Sequence, residues 1–251
     1  MSGISGKTAI VVGASRGLGH GIATAFAEAG AQVVAVSRTA AAFPDPLDGA
    51  GTIKPEIADA GDPTVSAGVL ERYDPAAVIL VAGATPYIRP LQHQTWETFA
   101  VNWETDVRIA FHWLREALIK PLAPGSRVVV ISSGAALAGS PLSGGYAGAK
   151  ATQRFITEYA REESARAGLD ITFTAVLPRI TPVTDVGRPA VQAYAARAGQ
   201  SEEDYIRKIG PLVTPEIAGV ALVELVQADA ASVAPAYLLT GAGLQTLPGP
   251  A

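Results

Sequence analysis

The chain has 251 residues, of which 49% are hydrophobic and 17% are charged. This proportion of apolar residues is enough for a buried core and excludes an intrinsically disordered chain. The net charge of −4 argues against binding to nucleic acid or to an anionic membrane surface, because such binding needs a basic face. The absence of cysteine excludes disulfides, thiolate catalysis and cysteine-ligated metals.

The three histidines, His20, His93 and His112, are far apart in the sequence and lack the spacing of metal ligands, so we expect no metal site. No targeting segment is visible. The uncharged stretch 132–149 is rich in glycine, serine and alanine, which is not the composition of a membrane span. The expectation is a soluble cytoplasmic protein that binds neither a membrane nor nucleic acid.

Short apolar runs rich in β-branched residues alternate with longer stretches of helical spacing. In chain order the pattern predicts a strand at 8–12, a helix at 17–29, strands at 32–36 and 76–81, a helix at 94–119, a strand at 127–131, a helix at 143–167, a strand at 171–177 and a helix that begins at 214–215. This alternation predicts an α/β fold with a doubly wound parallel sheet (a Rossmann fold) and three α/β/α layers. We expect a single domain over 1–251.

The segment 178–211 interrupts this alternation. It contains several prolines and a short helical stretch at 190–198. Open α/β sheets bind their ligands beyond the carboxyl ends of the strands, and this segment directly follows the strand predicted at 171–177. We interpret it as a substrate lid; the alternative is an excursion with a structural role only.

A glycine cluster with the spacing GxxxGxG, formed by Gly13, Gly17 and Gly19, follows the first strand and opens the first helix. A backbone without Cβ atoms turns sharply and approaches a pyrophosphate closely, and a helix N-terminus offers free N–H groups to it. In this strand–loop–helix context the cluster indicates a dinucleotide site. A tight structural turn is the alternative.

The second strand ends in Ser37 and Arg38, where an NAD-binding protein normally carries an acid for the ribose hydroxyl. Arg16 lies inside the glycine loop. Two guanidinium groups that converge on a phosphate make strong charge-assisted contacts, so this pair favours the 2′-phosphate of NADP. Two solvated surface arginines are the alternative.

Tyr146 and Lys150 are four residues apart on a predicted helix and therefore lie on one face. An ammonium group stabilises a nearby phenolate, which suits the pair to acid–base chemistry near neutral pH. Ser132 and Ser133 end an apolar strand just upstream, at the edge of the sheet where a ligand would bind.

Taken together, these motifs resemble those of the short-chain dehydrogenase/reductase family, in its single-domain branch. The resemblance rests on the glycine loop, the serine thirteen residues before Tyr146, the Tyr-x-x-x-Lys pair and an asparagine, Asn102, in the long central helix. It implies that Tyr146 is the general acid and that Lys150 assists it and binds the nicotinamide ribose. It also implies that Ser133 binds the substrate oxygen and that Asn102 holds a water in a proton relay.

The resemblance also implies a nicotinamide dinucleotide cofactor, and Arg16 and Arg38 favour NADP(H). The positions that would bind it are Gly13, Ser15, Arg16, Gly17, Leu18, Gly19, Arg38, Glu56, Ile57, Ala82, Gly83, Tyr146, Lys150, Pro178 and Thr181. Several positions depart from the family pattern, among them Val12 and Val183. Val81 replaces an asparagine that normally ties neighbouring strands together, and Arg179 replaces a glycine after the sixth strand.

The expected function is therefore an NADPH-dependent carbonyl reductase that transfers a hydride to a ketone or aldehyde. Two alternatives stay open: an alcohol dehydrogenase that works in the oxidative direction, and a non-catalytic protein that senses NADP. The small-molecule carbonyl or alcohol substrate is not specified by the sequence. Aromatic residues crowd the helix predicted at 94–119. The resemblance implies that this helix and the helix bearing Tyr146 form the contacts between subunits, so we expect a homotetramer, with a homodimer as the fallback.

Overall fold

In the computed structural model, which describes residues 3–44 and 51–248, one eight-stranded sheet runs through the molecule in the order β3-β2-β1-β4-β5-β6-β7-β8. The strands are β1 (Thr8–Val12), β2 (Gln32–Ser37), β3 (Thr52–Ile57), β4 (Ala77–Leu80), β5 (Arg127–Ile131), β6 (Thr172–Pro178), β7 (Ala236–Thr240) and β8 (Gly243–Leu247). All neighbours pair in parallel except β7 and β8, which pair antiparallel. The predicted doubly wound α/β fold is confirmed.

Helices connect the parallel strands. They are α1 (Gly17–Glu28), α2 (Pro63–Tyr73), α3 (Trp96–Asn102), α4 (Arg108–Ile119), α5 (Ala135–Ala138), α6 (Gly144–Ala167), α7 (Gly187–Arg197), α8 (Glu202–Ile209) and α9 (Pro215–Gln227). Every strand and helix predicted from the sequence has a counterpart whose ends agree within about two residues, with two exceptions. They are the long central helix and the short stretch predicted at 190–198, where α7 begins three residues earlier, at Gly187.

The central helix predicted at 94–119 is not continuous. It is divided into α3 and α4 by a π-helical turn, Trp103–Val107. Thr95 begins α3 with a reciprocal capping box in which Thr98 is the partner. A π-helical turn widens the helix locally and is frequent at functional sites. Here the turn shifts the register between the two helices, so the inward-facing positions of α3 do not continue directly onto α4.

The core lies on both faces of the sheet because side chains alternate along each strand. In β1, Ala9 and Val11 pack in the cluster that contains α1 and α9. Ile10 and Val12 pack on the opposite face, in the cluster that contains α2 and α4. A strand buried on both faces gives a continuous apolar run, which is why β1 could be predicted so well.

Strand β3 was missed by the sequence pattern for a physical reason. Its residues alternate between polar and apolar, most of them are partly or fully exposed, and Pro55 lies in the middle. A proline is tolerated only where no ladder hydrogen bond is lost, and β3 is the edge strand of the sheet. An edge position therefore accounts for the weak strand signal.

The strand order changes direction at β1, with β2 and β3 on one side and β4 to β8 on the other. The loops that leave the carboxyl ends of β1 and β4 therefore diverge and open a crevice between them. Segment 178–211 follows β6 at the same edge and forms two helices, α7 and α8, where the sequence predicted one short helical stretch.

Candidate active site

A cleft of about 1160 Å³ lies at the carboxyl edge of the sheet and is lined by residues from both sides of the crevice. Most of the site residues expected from the sequence line it: Gly13, Ser15, Arg16, Gly17, Leu18, Gly19, Arg38, Ala82, Gly83, Ser133, Tyr146, Lys150, Pro178 and Thr181. A cleft of this size is large enough for a dinucleotide together with a small substrate. Three expected residues, Glu56, Ile57 and Asn102, do not line it.

The glycine loop has the backbone that its sequence requires. Gly13 and Gly17 have φ angles of +92° and +55°, which glycine adopts without strain. A Cβ atom on Gly19 would overlap the carbonyl oxygen of Gly13, so only glycine lets the loop fold back on itself. Arg16 occupies the N-cap of α1 without a side-chain cap, which leaves the first N–H groups of the helix for an anionic ligand. These residues fit a pyrophosphate.

The two arginines expected at the adenosine end of a cofactor lie at the same cleft. Arg38 follows β2 and is exposed. Arg16 Nη1 lies 3.9 Å from Asp185 Oδ2 in the segment after β6, and both side chains are largely exposed. A pair so exposed is weak, so Arg16 stays available to a phosphate.

Glu56 and Ile57 were expected to contact the adenine, but neither residue lines the cleft. The Glu56 carboxylate accepts hydrogen bonds from the Tyr73 hydroxyl at 2.7 Å and from Arg72 Nη1 at 2.8 Å. The hydrogen bond from Tyr73, helped by the Arg72 guanidinium, holds the pKa of Glu56 below its usual value. Ile57 is 55% exposed at the end of the edge strand.

Asp59 and Ala60 line the cleft where that acid was expected. They lie between β3 and α2, at the carboxyl edge of the sheet. Asp62 accepts a hydrogen bond from Thr64 N–H as the N-cap of α2, with Pro63 in the first turn. The Asp62-Pro63 pair was the sequence signal that could have indicated these residues. An Asp-Pro pair is typical of a helix start, so it places the strand-to-helix loop just before Asp62.

Tyr146 and Lys150 lie one turn apart near the start of α6, and the Lys150 Nζ atom is 5.6 Å from the centroid of the Tyr146 ring. The helix approaches α3 so closely there that a Cβ atom on Gly145 would overlap the carbonyl oxygen of Phe99. Ser133 follows β5 and faces the same cleft. The three side chains expected to act on a carbonyl therefore line one cavity.

The two adjacent serines after β5 have different surroundings. The Ser132 hydroxyl is buried and donates a hydrogen bond to the carbonyl oxygen of Lys150 at 2.7 Å. The Ser133 hydroxyl accepts a longer hydrogen bond, 3.2 Å, from Ala135 N–H. Ser132 thus holds α6 against β5, and Ser133 is the serine with a hydroxyl proton left for a ligand.

Asn102 is buried at the end of α3 and does not line the cleft. Its side-chain amide donates to the carbonyl oxygen of Ala84 at 2.8 Å and lies 3.3 Å from Asp106 Oδ1. Asn102 therefore holds the loop after β4 in place, beside the π-helical turn.

Asp106 is a site residue that the sequence pattern did not reveal. It lines the cleft, is fully buried, and accepts a hydrogen bond from Ala84 N–H at 2.8 Å. Its Oδ2 atom lies 3.1 Å from Lys150 Nζ. A Cβ atom on Gly83 would lie 2.7 Å from the same oxygen, so glycine is needed at that position to accommodate the carboxylate. The available signal was an acid four residues after Asn102, on the same side of the predicted helix.

The Lys150 ammonium has three acceptors inside the protein. Besides Asp106, it donates to Gln153 Oε1 at 2.9 Å and to the carbonyl oxygen of Ile131 at 3.3 Å. Burial lowers the pKa of Lys150, but attraction to Asp106 and Tyr146 outweighs burial, so the pKa lies above its usual value. The stabilisation from this shift is complete below pH about 10 and is lost only in stronger alkali.

The segment after β6 contributes a buried hydrogen bond and two stacked aromatic side chains to the cleft. Thr181 lines the cleft, but its hydroxyl donates to the carbonyl oxygen of Val213 at 2.7 Å and is buried. Tyr194 and Tyr205 also line the cleft and stack with their ring centroids 6.5 Å apart. The Tyr194 hydroxyl hydrogen-bonds Ser140, so α7 is tied to the loop after α5.

Within 3–44 and 51–248, no helix is long and apolar enough to cross a bilayer. Across the same residues, no three or more carboxylate or imidazole side chains cluster in a way that could hold a metal ion.

The model of the short chain dehydrogenase family matches residues 7–195. The chain therefore belongs to the short-chain dehydrogenase family, whose members are oxidoreductases, as the motifs implied.

Curated relatives include sugar reductases. The chain is 30% identical to L-xylulose reductase of Homo sapiens over 132 residues, which are 51% of this chain and 54% of that protein. It is 24% identical to D-erythrulose reductase of Gallus gallus over 179 residues, which are 70% of this chain and 66% of that protein. The chain spans about half the length of the first curated relatives that it matches.

Solved structures show the same fold over nearly the whole chain. A short chain dehydrogenase from Mycobacterium avium has a TM-score of 0.77 at 22% identity and is matched over 100% of this chain and 88% of its own. A 3-oxoacyl (acyl-carrier-protein) reductase from Agrobacterium tumefaciens with NADP bound has a TM-score of 0.75 at 24% identity, with 95% of each chain covered. At these identities the likeness establishes the fold.

Replacing Lys150 with methionine should destabilise the protein. The change removes the positive member of a buried pair and leaves the Asp106 carboxylate without its counter-ion. We expect the free energy of unfolding to fall by about 3–5 kcal/mol, measured by urea denaturation at neutral pH. Lys120→Met is the matched control, because Lys120 pairs with Glu71 where both side chains are about two thirds exposed, and it should change stability little. Equal effects of the two variants would contradict this expectation.

Proposed function

We propose that the protein is an NADPH-dependent carbonyl reductase that acts on a small ketone or aldehyde, with Tyr146 as the general acid. The observation that carries the proposal is that Tyr146, Ser133 and Lys150 line the same cleft as the glycine loop. A proton donor, a hydroxyl and a phosphate-binding loop in one cleft suit the reduction of a carbonyl. The reductase names of the curated relatives agree with this chemistry.

The cofactor would be held along the crevice. The glycine loop and the N-terminus of α1 would bind its pyrophosphate, and Arg16 and Arg38 would bind its 2′-phosphate. Asp59, in place of Glu56, is the acid at the cleft for the adenine end. When bound, the nicotinamide cofactor supplies the hydride for the carbonyl carbon.

The chain itself supplies the proton and stabilises the oxygen. The Tyr146 hydroxyl would donate its proton to the carbonyl oxygen, while the Ser133 hydroxyl donates a hydrogen bond to the same oxygen as negative charge develops there. The Lys150 ammonium, held beside the Tyr146 ring, would stabilise the phenolate left behind.

We further propose that the segment 178–211 is a lid over the substrate. Tyr194 and Tyr205 give it an apolar wall that faces the cleft, and the link from Tyr194 to Ser140 joins it to the loop next to Ser133. Two stacked tyrosines suit a substrate with an apolar portion.

Tyr146→Phe should lower kcat by about 10²–10⁴-fold, because the phenyl ring cannot donate a proton. The variant should still bind NADPH, since the ring and Lys150 remain. NADPH consumption with a panel of ketones and aldehydes measures the first effect, and NADPH fluorescence measures the second. Tyr159→Phe is the matched control on the same helix, 54% exposed, and should leave kcat unchanged. A kcat within about tenfold of the unmodified enzyme would remove Tyr146 from the mechanism.

Arg38→Ala should weaken NADPH binding by about ten- to a hundredfold and leave NADH binding nearly unchanged. A hydrogen bond to a charged group contributes about 1.5–3 kcal/mol, and about 1.4 kcal/mol corresponds to tenfold in affinity. Both dissociation constants are measured by fluorescence titration at low and high salt, since screening should reduce the preference. Arg72→Ala, whose guanidinium pairs with Glu56 outside the cleft, is the control. Equal kcat/KM for NADPH and NADH in the unmodified enzyme would contradict the assignment.

We also propose a homotetramer, with a homodimer as the fallback, because Phe111 on α4 and Phe155 on α6 are each about half exposed. Burial of such aromatic surface between copies is favourable. Analytical ultracentrifugation at micromolar concentration should show the oligomer, and Phe155→Glu should shift it towards monomer. Val220→Glu, at an exposed apolar position on α9, should not. A monomer alone in the unmodified protein would contradict the proposal.

A further inference from the structure

Asp106 places a buried negative charge directly behind the Lys150 ammonium. Asp106 Oδ2 lies 3.1 Å from Lys150 Nζ, and this Nζ lies 5.6 Å from the centre of the Tyr146 ring. The side chains of Lys150 and Asp106 are 6% and 1% exposed, so water screens little of their interaction. One ammonium therefore interacts with both the carboxylate and the phenol.

The other groups around Asp106 are neutral or turned away. The Ala84 N–H and the Asn102 amide reach its carboxylate from the loop after β4 and from α3. Gln153 on α6 donates to its backbone carbonyl oxygen. Arg108, the charged residue that follows on α4, is exposed and lies against Gly61. Within 3–44 and 51–248, the ion pair of Asp106 is with Lys150.

We propose that Asp106 is a positioning residue for the reduction: it keeps the Tyr146–Lys150 pair doubly protonated and so sets the upper pH limit of the reaction. This inference rests on the proposed function of Tyr146 as the acid. Reduction needs the proton on Tyr146 and the positive charge on Lys150, and a carboxylate beside the ammonium makes it harder for the coupled pair to lose a proton.

The same carboxylate also holds the pair in place. It accepts the Ala84 N–H and so ties the loop after β4 to the π-helical turn. Gly83 is the residue that leaves room for it. The Asp106 side chain thus keeps the pair protonated and also holds the loop after β4 in place. Only the first of these two effects depends on its negative charge.

Asp106→Asn keeps the size of the side chain and removes its charge. Without the carboxylate, the positive charge of the protonated pair is buried without a counter-ion. The pair therefore loses one proton at lower pH, whichever group releases it. The alkaline limb of kcat/KM for carbonyl reduction should move down by about one to three pH units. Glu104→Gln is the matched control, because it removes the same charge from an exposed position on the same turn. The alkaline limb of kcat/KM should lie at the same pH in this variant as in the unmodified enzyme.

A second measurement tests the same inference without activity. In Asp106→Asn, the folded state should release a proton at a pH where the unfolded state still binds it, so raising the pH favours folding. The deficit in Tm relative to Glu104→Gln should therefore shrink between pH about 7 and about 9.5. A constant deficit together with an unmoved alkaline limb would overturn the inference and leave Asp106 a structural residue.

The two proposals fail in different ways. If the unmodified protein reduces no carbonyl in the panel, the proposed function fails, and the pH dependence of Tm alone decides the role of Asp106. If Asp106→Asn does not fold, the double variant Asp106→Asn/Lys150→Met replaces it. That variant has no ammonium to compensate, so it should fold with a Tm deficit that does not vary with pH. Failure of both variants to fold would overturn the inference.

Discussion

The ammonium group of Lys150 is a full charge in the interior, and the geometry of the site follows from the need to pair it. A buried charge is tolerated only with a counter-ion and with its remaining hydrogen bonds made. Here the acceptors come from three elements: Asp106 in the π-helical turn, Gln153 on α6 and Ile131 at the end of β5. Pairing one ammonium therefore fixes α6 against both neighbours and places Tyr146, one turn earlier, at the cleft.

The π-helical turn makes that pairing possible. It separates α3 from α4 and brings Asn102 and Asp106 onto the loop after β4, where both bind the backbone of Ala84. Val81, at the start of this loop, stands where the family pattern has an asparagine that ties neighbouring strands together. In the structure, Asn102 and Asp106 of the central helix supply the polar contacts to this loop instead. Helix α6 completes the arrangement, because Gln153 binds the backbone of Asp106.

The two ends of the cleft are built from different kinds of interaction. At the end that fits a pyrophosphate, the shape is set by backbone angles at Gly13 and Gly17 and by the close approach of Gly19. At the other end, the shape is set by buried side chains that contact each other across long stretches of chain. Backbone constraints of the first kind are local, whereas those of the second kind require the whole sheet to be assembled.

The sequence by itself determined the fold class, the glycine loop and the positions of Tyr146, Lys150 and Ser133, because each rests on local periodicity or on spacing within one strand–helix unit. Only the tertiary structure decided that Asp59, and not Glu56, lines the cleft, since the edge strand that contains Pro55 carries too weak a pattern for its end to be predicted from the sequence. It also decided the role of Asp106. A carboxylate on a helix looks the same in sequence whether it faces water or a lysine 44 residues later, and only the packing of α6 on the π-helical turn distinguishes the two.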